Sequence, residues 1–244
     1  MLVVAAIRSV VTYVATLAYI AVAGPVGLII AGVFRWKRGL YALGHTGTWL
    51  ALGLAGIRYR VTGRERLPDG PGAVVFCSNH ESNVDPPVLF VALHPQLHIL
   101  YKAELHKFPI MGMAFDVGGF VAVERENRER AMESISRGAD SLRAGNSFLI
   151  FPEGTRSRTG ALLPFKKGGF IMAIQAQVPI VPVAVQGGRA AMRKGSAIVR
   201  PVRVSVRIGE PIPTKGLTVD DRDVLIERVR NAIRALLDEG SVWT

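Results

Sequence analysis

Between Arg8 and Arg35 the chain carries no charged side chain, and a second charge-free stretch runs from Gly39 to Ile57. The first exceeds the ~20 residues that cross a bilayer core, so any fold must place a long apolar segment out of water. The basic cluster Arg35, Lys37 and Arg38 separates the two stretches, and Arg58, Arg60, Arg64 and Arg66 close the second. Much of the chain's apolar share, 49%, sits before Ile57. That average therefore describes two regions, residues 1–57 and residues 58–244.

Three arrangements of the first region compete. A cleaved signal peptide would use Ala21-Val22-Ala23 as its small-residue site, but the apolar run continues well past it and no cationic leader precedes it. Two spanning helices would put the two basic groups on opposite sides of the bilayer, against the positive-inside bias. A helical hairpin dipping into one leaflet leaves both groups at the cytoplasmic headgroups, and this monotopic or re-entrant anchor is the expected arrangement. Gly24-Pro25 is expected to interrupt the first stretch, and five glycines with His45 make the second a poorer spanning helix.

A net charge of +11 calls for an anionic partner. Aromatics make up 7% of the chain, and no Lys/Arg block interleaves with them as a base-stacking surface requires. Nucleic acid is set aside on those grounds, leaving a membrane surface or a phosphorylated substrate. The single cysteine, Cys77, excludes an intramolecular disulfide and a cysteine-based zinc site, and it lies in an apolar run that reads as a buried strand. His94 and His98 are four apart, but Pro95 between them argues against a shared helix. No metal site is expected.

From Arg58 onward, short β-rich runs alternate with helical ones, the pattern of an α/β layer fold. Strands are predicted at 57–61, 73–77, 97–101, 119–123, 147–151, 180–185 and 202–208. Helices are predicted at 126–143, 168–177 and 219–237, the last capped by Thr218 with Asp221 three residues on.

The run Ser78-Asn79-His80-Glu81-Ser82-Asn83-Val84-Asp85 follows directly on a predicted strand, and strand ends are where α/β folds present catalytic groups. The four residues between His80 and Asp85 can fold back so that the carboxylate accepts the Nδ1 proton. Nε2 is then free to act as a base. Another predicted strand closes on Phe151-Pro152-Glu153-Gly154-Thr155-Arg156-Ser157. There Gly154 permits a tight turn presenting N–H groups to an anion, and Arg156 can grip a phosphate in bidentate fashion. Lys166 and Lys167 are evenly balanced between adding positive field and forming a solvated face.

Asn-His-x4-Asp and Phe-Pro-Glu-Gly-Thr-Arg together resemble the signature elements of the glycerophosphate acyltransferase family. Gly119-Phe120-Val121-Ala122-Val123-Glu124-Arg125 looks like that family's second block, and Val178-Pro179-Ile180-Val181-Pro182-Val183 like its fourth. The resemblance covers roughly residues 57–210, with the blocks in order. It implies a mixed sheet flanked by helices, with His80 and Asp85 catalytic. Substrate phosphate would be bound by Arg125, Glu153, Gly154, Thr155 and Arg156, and oxyanion or phosphate support would come from Lys102 or from backbone N–H groups near His80.

The implied activity is acyl transfer to the sn-2 hydroxyl of 1-acyl-sn-glycerol-3-phosphate, giving phosphatidate. The implied donor is acyl-CoA or an acyl carrier protein, with no resident cofactor. Glycerol-3-phosphate or another lysophospholipid is the alternative acceptor. A hydrolase would need Cys77 or Ser78 as nucleophile, and a non-enzymatic scaffold would leave the paired signatures without a role.

Overall fold

The computed structural model describes residues 2–67, 72–93, 96–123, 128–192 and 195–243, the side chains of Leu2, Lys102 and Arg128 excepted. Helices α1 (Leu2–Val33) and α2 (Lys37–Ala55) form the N-terminal hairpin. The glycines of α2 are seats for its partner: a Cβ on Gly47 would collide with the Tyr19 ring, and one on Gly39 would lie 2.8 Å from Ile30. Close backbone approach through small residues is how helices associate where water supplies no hydrophobic drive. The hydroxyl of Tyr19 adds a bond to Leu43 O at 2.9 Å.

The expected interruption at Gly24-Pro25 does not occur, because α1 runs through Pro25 unbroken. Proline removes one intrahelical bond, and α1 absorbs that loss within its 32 residues.

The second region builds a seven-stranded sheet. Along the chain come β1 (Ile57–Thr62), β2 (Val75–Ser78), α3 (Asp85–Leu93), β3 (Leu97–Lys102), α4 (Pro109–Gly118) and β4 (Val121–Val123). They are followed by α5 (Arg128–Arg143), β5 (Ser147–Ile150), α6 (Gly168–Ala176), β6 (Ile180–Gln186), α7 (Gly188–Ala191), β7 (Val202–Ile208) and α8 (Arg222–Asp238). All seven predicted strands are present. β4 starts two residues later than expected because Gly119, at φ 85°, caps α4 in the left-handed region. The predicted capping box forms: Thr218 N–H donates to Asp221 Oδ2 at 2.7 Å, ahead of α8.

The strand order is β1-β7-β6-β2-β5-β3-β4. β2 to β6 are mutually parallel, while β7 is antiparallel to β6 and β1 parallel to β7. The carboxyl ends of β2, β3, β4, β5 and β6 therefore share one edge. β2 and β5 are neighbours, although more than sixty residues separate them in sequence. The chain leaves β2 in one direction and returns from β5 to β6 in the other, so their junction is the switch point where α/β sheets bind ligands.

Helices cover both faces. Leu52 and Ala55 of α2 join Val88, Leu89 and Leu93 of α3 on one side; Phe148, Phe170, Met172, Val229 and Ile233 fill the other. Central strands covered twice need continuous apolar runs rather than alternation, and β2, β5 and β6 have them.

Candidate active site

Asn79, the first residue past β2, clamps the loop to the sheet. Its Nδ2 donates to Val185 O at 2.9 Å and its Oδ1 accepts the Val185 N–H at 2.8 Å. The chain then turns over Glu81 and Ser82 and enters α3 at Asp85, with Pro86 and Pro87 in the first helical turn, where a missing N–H is harmless. Asp85 is fully buried. Its Oδ2 accepts the N–H groups of Glu81 and Ser82, each at 2.7 Å, and contacts His80 Nδ1 at 2.9 Å. An ionised carboxylate can only accept, so Nδ1 carries the proton and the Nε2 lone pair remains available. Among the described residues nothing bonds Nε2. The other carboxylate oxygen, Oδ1, is buried without a partner.

β5 ends beside β2 and delivers the Phe151–Ser157 run to the same place. Glu153 Oε1 accepts the His80 N–H at 2.8 Å, the Ser157 N–H donates to His80 O at 2.7 Å, and the Phe151 ring lies 4.3 Å, centroid to centroid, from the imidazole. The two sequence signatures are thus one bonded unit. Glu153 is buried, and its second oxygen accepts the Leu163 N–H at 3.0 Å. Burial pushes its carboxyl above the ordinary range, while the N–H bonds from Leu163 and His80 pull it back. This corrects the expectation that Glu153 contacts phosphate. Both oxygens are engaged with backbone, and a carboxylate repels a phosphate, so Glu153 braces the His80 turn.

Gly154 takes φ 67°, and its N–H closes the turn onto Phe151 O at 3.0 Å. A Cβ there would lie 2.8 Å from Lys166 Cε, so the missing side chain lets Lys166 lie across the motif. Lys167 instead pairs with Asp223 at 3.2 Å. Thr155 is exposed and Arg156 half-buried. Among the described residues neither side chain has a hydrogen bond or ion pair, leaving the Arg156 guanidinium available to an anion.

Lys102 ends β3 on the same sheet edge, but its side chain lies outside the described residues. Arg125, two residues beyond the end of β4, also lies outside them, as does His94. Among the backbone donors near His80, the N–H groups of His80, Glu81 and Ser82 serve the carboxylates of Glu153 and Asp85. The rival nucleophiles are turned away. Cys77 is buried in β2, where burial and the Glu153 charge raise its thiol pKa, and the Ser78 hydroxyl donates to Asn79 O at 3.0 Å. His98 is buried on β3. Among the described residues no group of side chains is arranged to hold a metal ion.

Sequence reasoning missed Asn79 as a clamp, Phe151 as the imidazole's support, and Gly188, whose Cβ would collide with Asp85 Oδ1. It also missed Glu81, which accepts the Arg189 N–H at 3.2 Å and lines a cavity of about 670 Å³ with Gly160, Leu162, Gln186 and Arg234. The Gly187-Gly188 pair just past a predicted strand was the available signal for a tight approach.

The sequence and the fold are similar to those of known proteins. The acyltransferase family profile matches residues 58–186. A 1-acyl-sn-glycerol-3-phosphate acyltransferase of Limnanthes douglasii is 32% identical over 84% of this chain and 74% of its own. The human 1-acyl-sn-glycerol-3-phosphate acyltransferase alpha is 34% identical over 77% of this chain and 66% of its own. The crystal structure of the 1-acyl-sn-glycerophosphate (LPA) acyltransferase PlsC from Thermotoga maritima superposes with a TM-score of 0.75 at 24% identity, covering 97% of this chain and 99% of that one. That likeness extends the shared fold through the N-terminal hairpin. With its paired signatures joined at one sheet edge and its family profile spanning β1 to β6, the chain belongs to the acyltransferase family.

Proposed function

We propose that the enzyme transfers a fatty acyl group from a thioester to the sn-2 hydroxyl of 1-acyl-sn-glycerol-3-phosphate, giving phosphatidate for phospholipid synthesis. The observation that carries this reading is the 2.9 Å His80–Asp85 pair bonded to the Phe-Pro-Glu-Gly-Thr-Arg turn. The relatives' names supply the acceptor.

In this mechanism His80 Nε2 removes the proton from the acceptor hydroxyl as its oxygen attacks the thioester carbonyl. Asp85 holds the tautomer and stabilises the imidazolium that forms. The new ester bond forms as the thiolate leaves, and the imidazolium returns the proton to the sulfur. Arg156, with Arg125, holds the acceptor phosphate, which converts a chance encounter into an oriented one. Lys102 is the candidate for the developing oxyanion. Cys77 and Ser78 take no part, so the transfer is direct. The donor is acyl-CoA or an acyl carrier protein.

The site works at a membrane. Helix α1 carries a 31-residue apolar span of mean hydropathy 2.1, and Val3, Ile7, Val14, Leu17 and Ile29 expose more than half of their surface. Such a face is stable only against lipid or another apolar surface. Both ends of the hairpin lie against the α/β domain. Near the start, Ser9 Oγ accepts the Val199 N–H at 2.8 Å and Tyr13 donates to Ala197 O at 2.7 Å. Near the tip, the Tyr41 hydroxyl donates to Gly118 O at 3.0 Å. A hairpin tied down at both ends lies along one leaflet rather than crossing the bilayer. Lys37→Cys and Thr62→Cys should therefore react with an impermeant reagent from the same side, the cytoplasmic one. Reaction from opposite sides would rule out this topology.

The activity test uses purified protein in detergent, with acyl-CoA and acyl carrier protein donors against lysophosphatidate, glycerol-3-phosphate and other lysophospholipids. Thiol release and the acyl product are both measured. Phosphatidate should form fastest, and His80→Ala should lose turnover by orders of magnitude with its thermal unfolding unchanged. Near wild-type turnover by that variant, or no turnover of any acceptor by the parent, would end the reading.

A further inference from the structure

We infer that residues 105–113 form a third membrane-embedded element, which seats the β3–β4 end of the catalytic domain in the lipid headgroup layer. The inference rests on the membrane reading above and extends it from the hairpin to the catalytic domain itself.

The segment comprises the end of the 3₁₀ turn Ala103–Lys107 and the first half of α4. Its outward side is apolar: Leu105 exposes 41% of its surface, Phe108 58% and Met113 50%. His106 is half exposed, but its Nδ1 lies 3.0 Å from the Tyr101 hydroxyl, which ties one edge of the ring to the domain. A loop adapted to water alone would not leave three large apolar side chains outward within nine residues.

The patch is continuous with the hairpin surface. Ile110 packs on α1 so closely that a Cβ on Gly24 would lie 2.6 Å from its Cγ2. That contact sets the start of α4 beside the part of α1 where Val22 and Val26 are exposed. Lys107, exposed and next to Phe108, supplies a cation at the depth of anionic headgroups. An apolar wedge with a cationic neighbour, joined to an existing apolar face, fits a lipid surface.

The position has a consequence for the reaction. The segment immediately follows β3, whose carboxyl end carries Lys102, and it borders a cavity of about 500 Å³ lined by Tyr101, His106, Asp116, Phe120 and Arg137. Embedding the segment brings that edge of the sheet to the layer where a lysophospholipid holds its phosphate, so the acceptor need not leave the interface to reach the edge.

The test places an environment-sensitive NBD label at Phe108→Cys and, separately, at Leu17→Cys on α1. Native Cys77 is buried and does not compete for the reagent. The full-length protein is bound to phosphatidylglycerol and phosphatidylcholine vesicles, and quenching by acyl-brominated lipid is compared with quenching by aqueous iodide. Both labels should be quenched by the brominated lipid and protected from iodide. A quenched label at 17 with an iodide-accessible label at 108 would overturn the third element while leaving the hairpin reading in place. Two water-exposed labels would overturn both.

A second measurement avoids the label. The double variant Phe108→Asp/Met113→Asp should bind vesicles several-fold less at the same lipid concentration. Its turnover of a monomeric short-chain lysophosphatidate in detergent should be unchanged. Unaltered vesicle binding would count against the element.

Discussion

His80 is oriented by Asp85 through a 2.9 Å contact at Nδ1, and the same Asp85 oxygen is itself fixed by the N–H groups of Glu81 and Ser82. The turn that carries the base thus also orients the group that orients the base. Asp85→Asn keeps the shape but loses the charge that selects the tautomer and stabilises the imidazolium. Turnover should fall by roughly 10⁴-fold, the scale of such a change in a Ser-His-Asp triad. Acceptor KM and thermal stability should change far less. Turnover within tenfold of the parent would remove Asp85 from the mechanism.

Gly188 tests the same carboxylate from behind. Asp85 Oδ1 is buried without a bond, and a Cβ at position 188 would collide with it. Gly188 does not take a positive φ, so its backbone is one that an alanine adopts. Gly188→Ala is therefore compatible with α7 and acts by displacing Asp85. Turnover should drop by at least tenfold with the melting temperature lowered only modestly. Gly188→Ala with parental turnover would show that the carboxylate tolerates movement.

Much of this geometry was readable in advance, for identifiable reasons. The strands were legible because a sheet covered on both faces demands continuous apolar runs, and β2, β5 and β6 carry them. The His80–Asp85 pairing was legible because the intervening residues are few. The bracing by Glu153 was not, since it depends on β2 and β5 being neighbours and on which backbone N–H groups stand without a partner. Pro25 misled because a proline costs a helix one bond, and a helix as long as α1 can continue past that loss. The clamp by Asn79 required the position of β6, which no local pattern encodes.

Glu153→Gln probes the brace between the signatures. Each carboxylate oxygen accepts one backbone N–H, from His80 and from Leu163. A glutamine must turn its NH2 group towards one of these donors, leaving a buried N–H unpaired at about 1–3 kcal/mol. The variant should melt at a lower temperature and lose turnover as the His80 turn loosens, although position 153 touches no reacting atom. The pH dependence separates this from a simple packing defect. Burial raises the Glu153 carboxyl pKa, so its ionised form weighs against folding at neutral pH. That penalty is relieved as pH falls through the raised value towards the ordinary carboxylate range. The stability gap between parent and Glu153→Gln should therefore widen on acidification. A gap independent of pH would mean that Glu153 is not held as a buried carboxylate.

His98 gives the opposite sign at a second place. It is buried on β3 against the rings of Tyr41, Phe120 and Phe148, and burial with the nearby Lys37 charge lowers its pKa from 6.5 to about 4. The fold therefore holds the imidazole neutral. The stability tied to that neutrality is complete above pH 6.5 and is lost as pH falls from there towards 4, because the unfolded chain binds the proton first. At pH 5 the loss is on the order of 1–2 kcal/mol. The non-titrating His98→Leu should lose less stability between pH 7.5 and pH 5 than the parent, whatever its starting melting temperature. Lys37→Gln, which removes the second cause of the lowered pKa, should shift the parent's acid sensitivity to lower loss. Because Lys37 sits at the hairpin tip and His98 in the sheet, that second result also reports whether the tip stays docked on the catalytic domain. A reduced loss in His98→Leu with no change in Lys37→Gln would place the tip away from β3 and undercut the in-plane seating of the hairpin, whereas identical acid sensitivity in all three proteins would show that His98 is not the group that titrates.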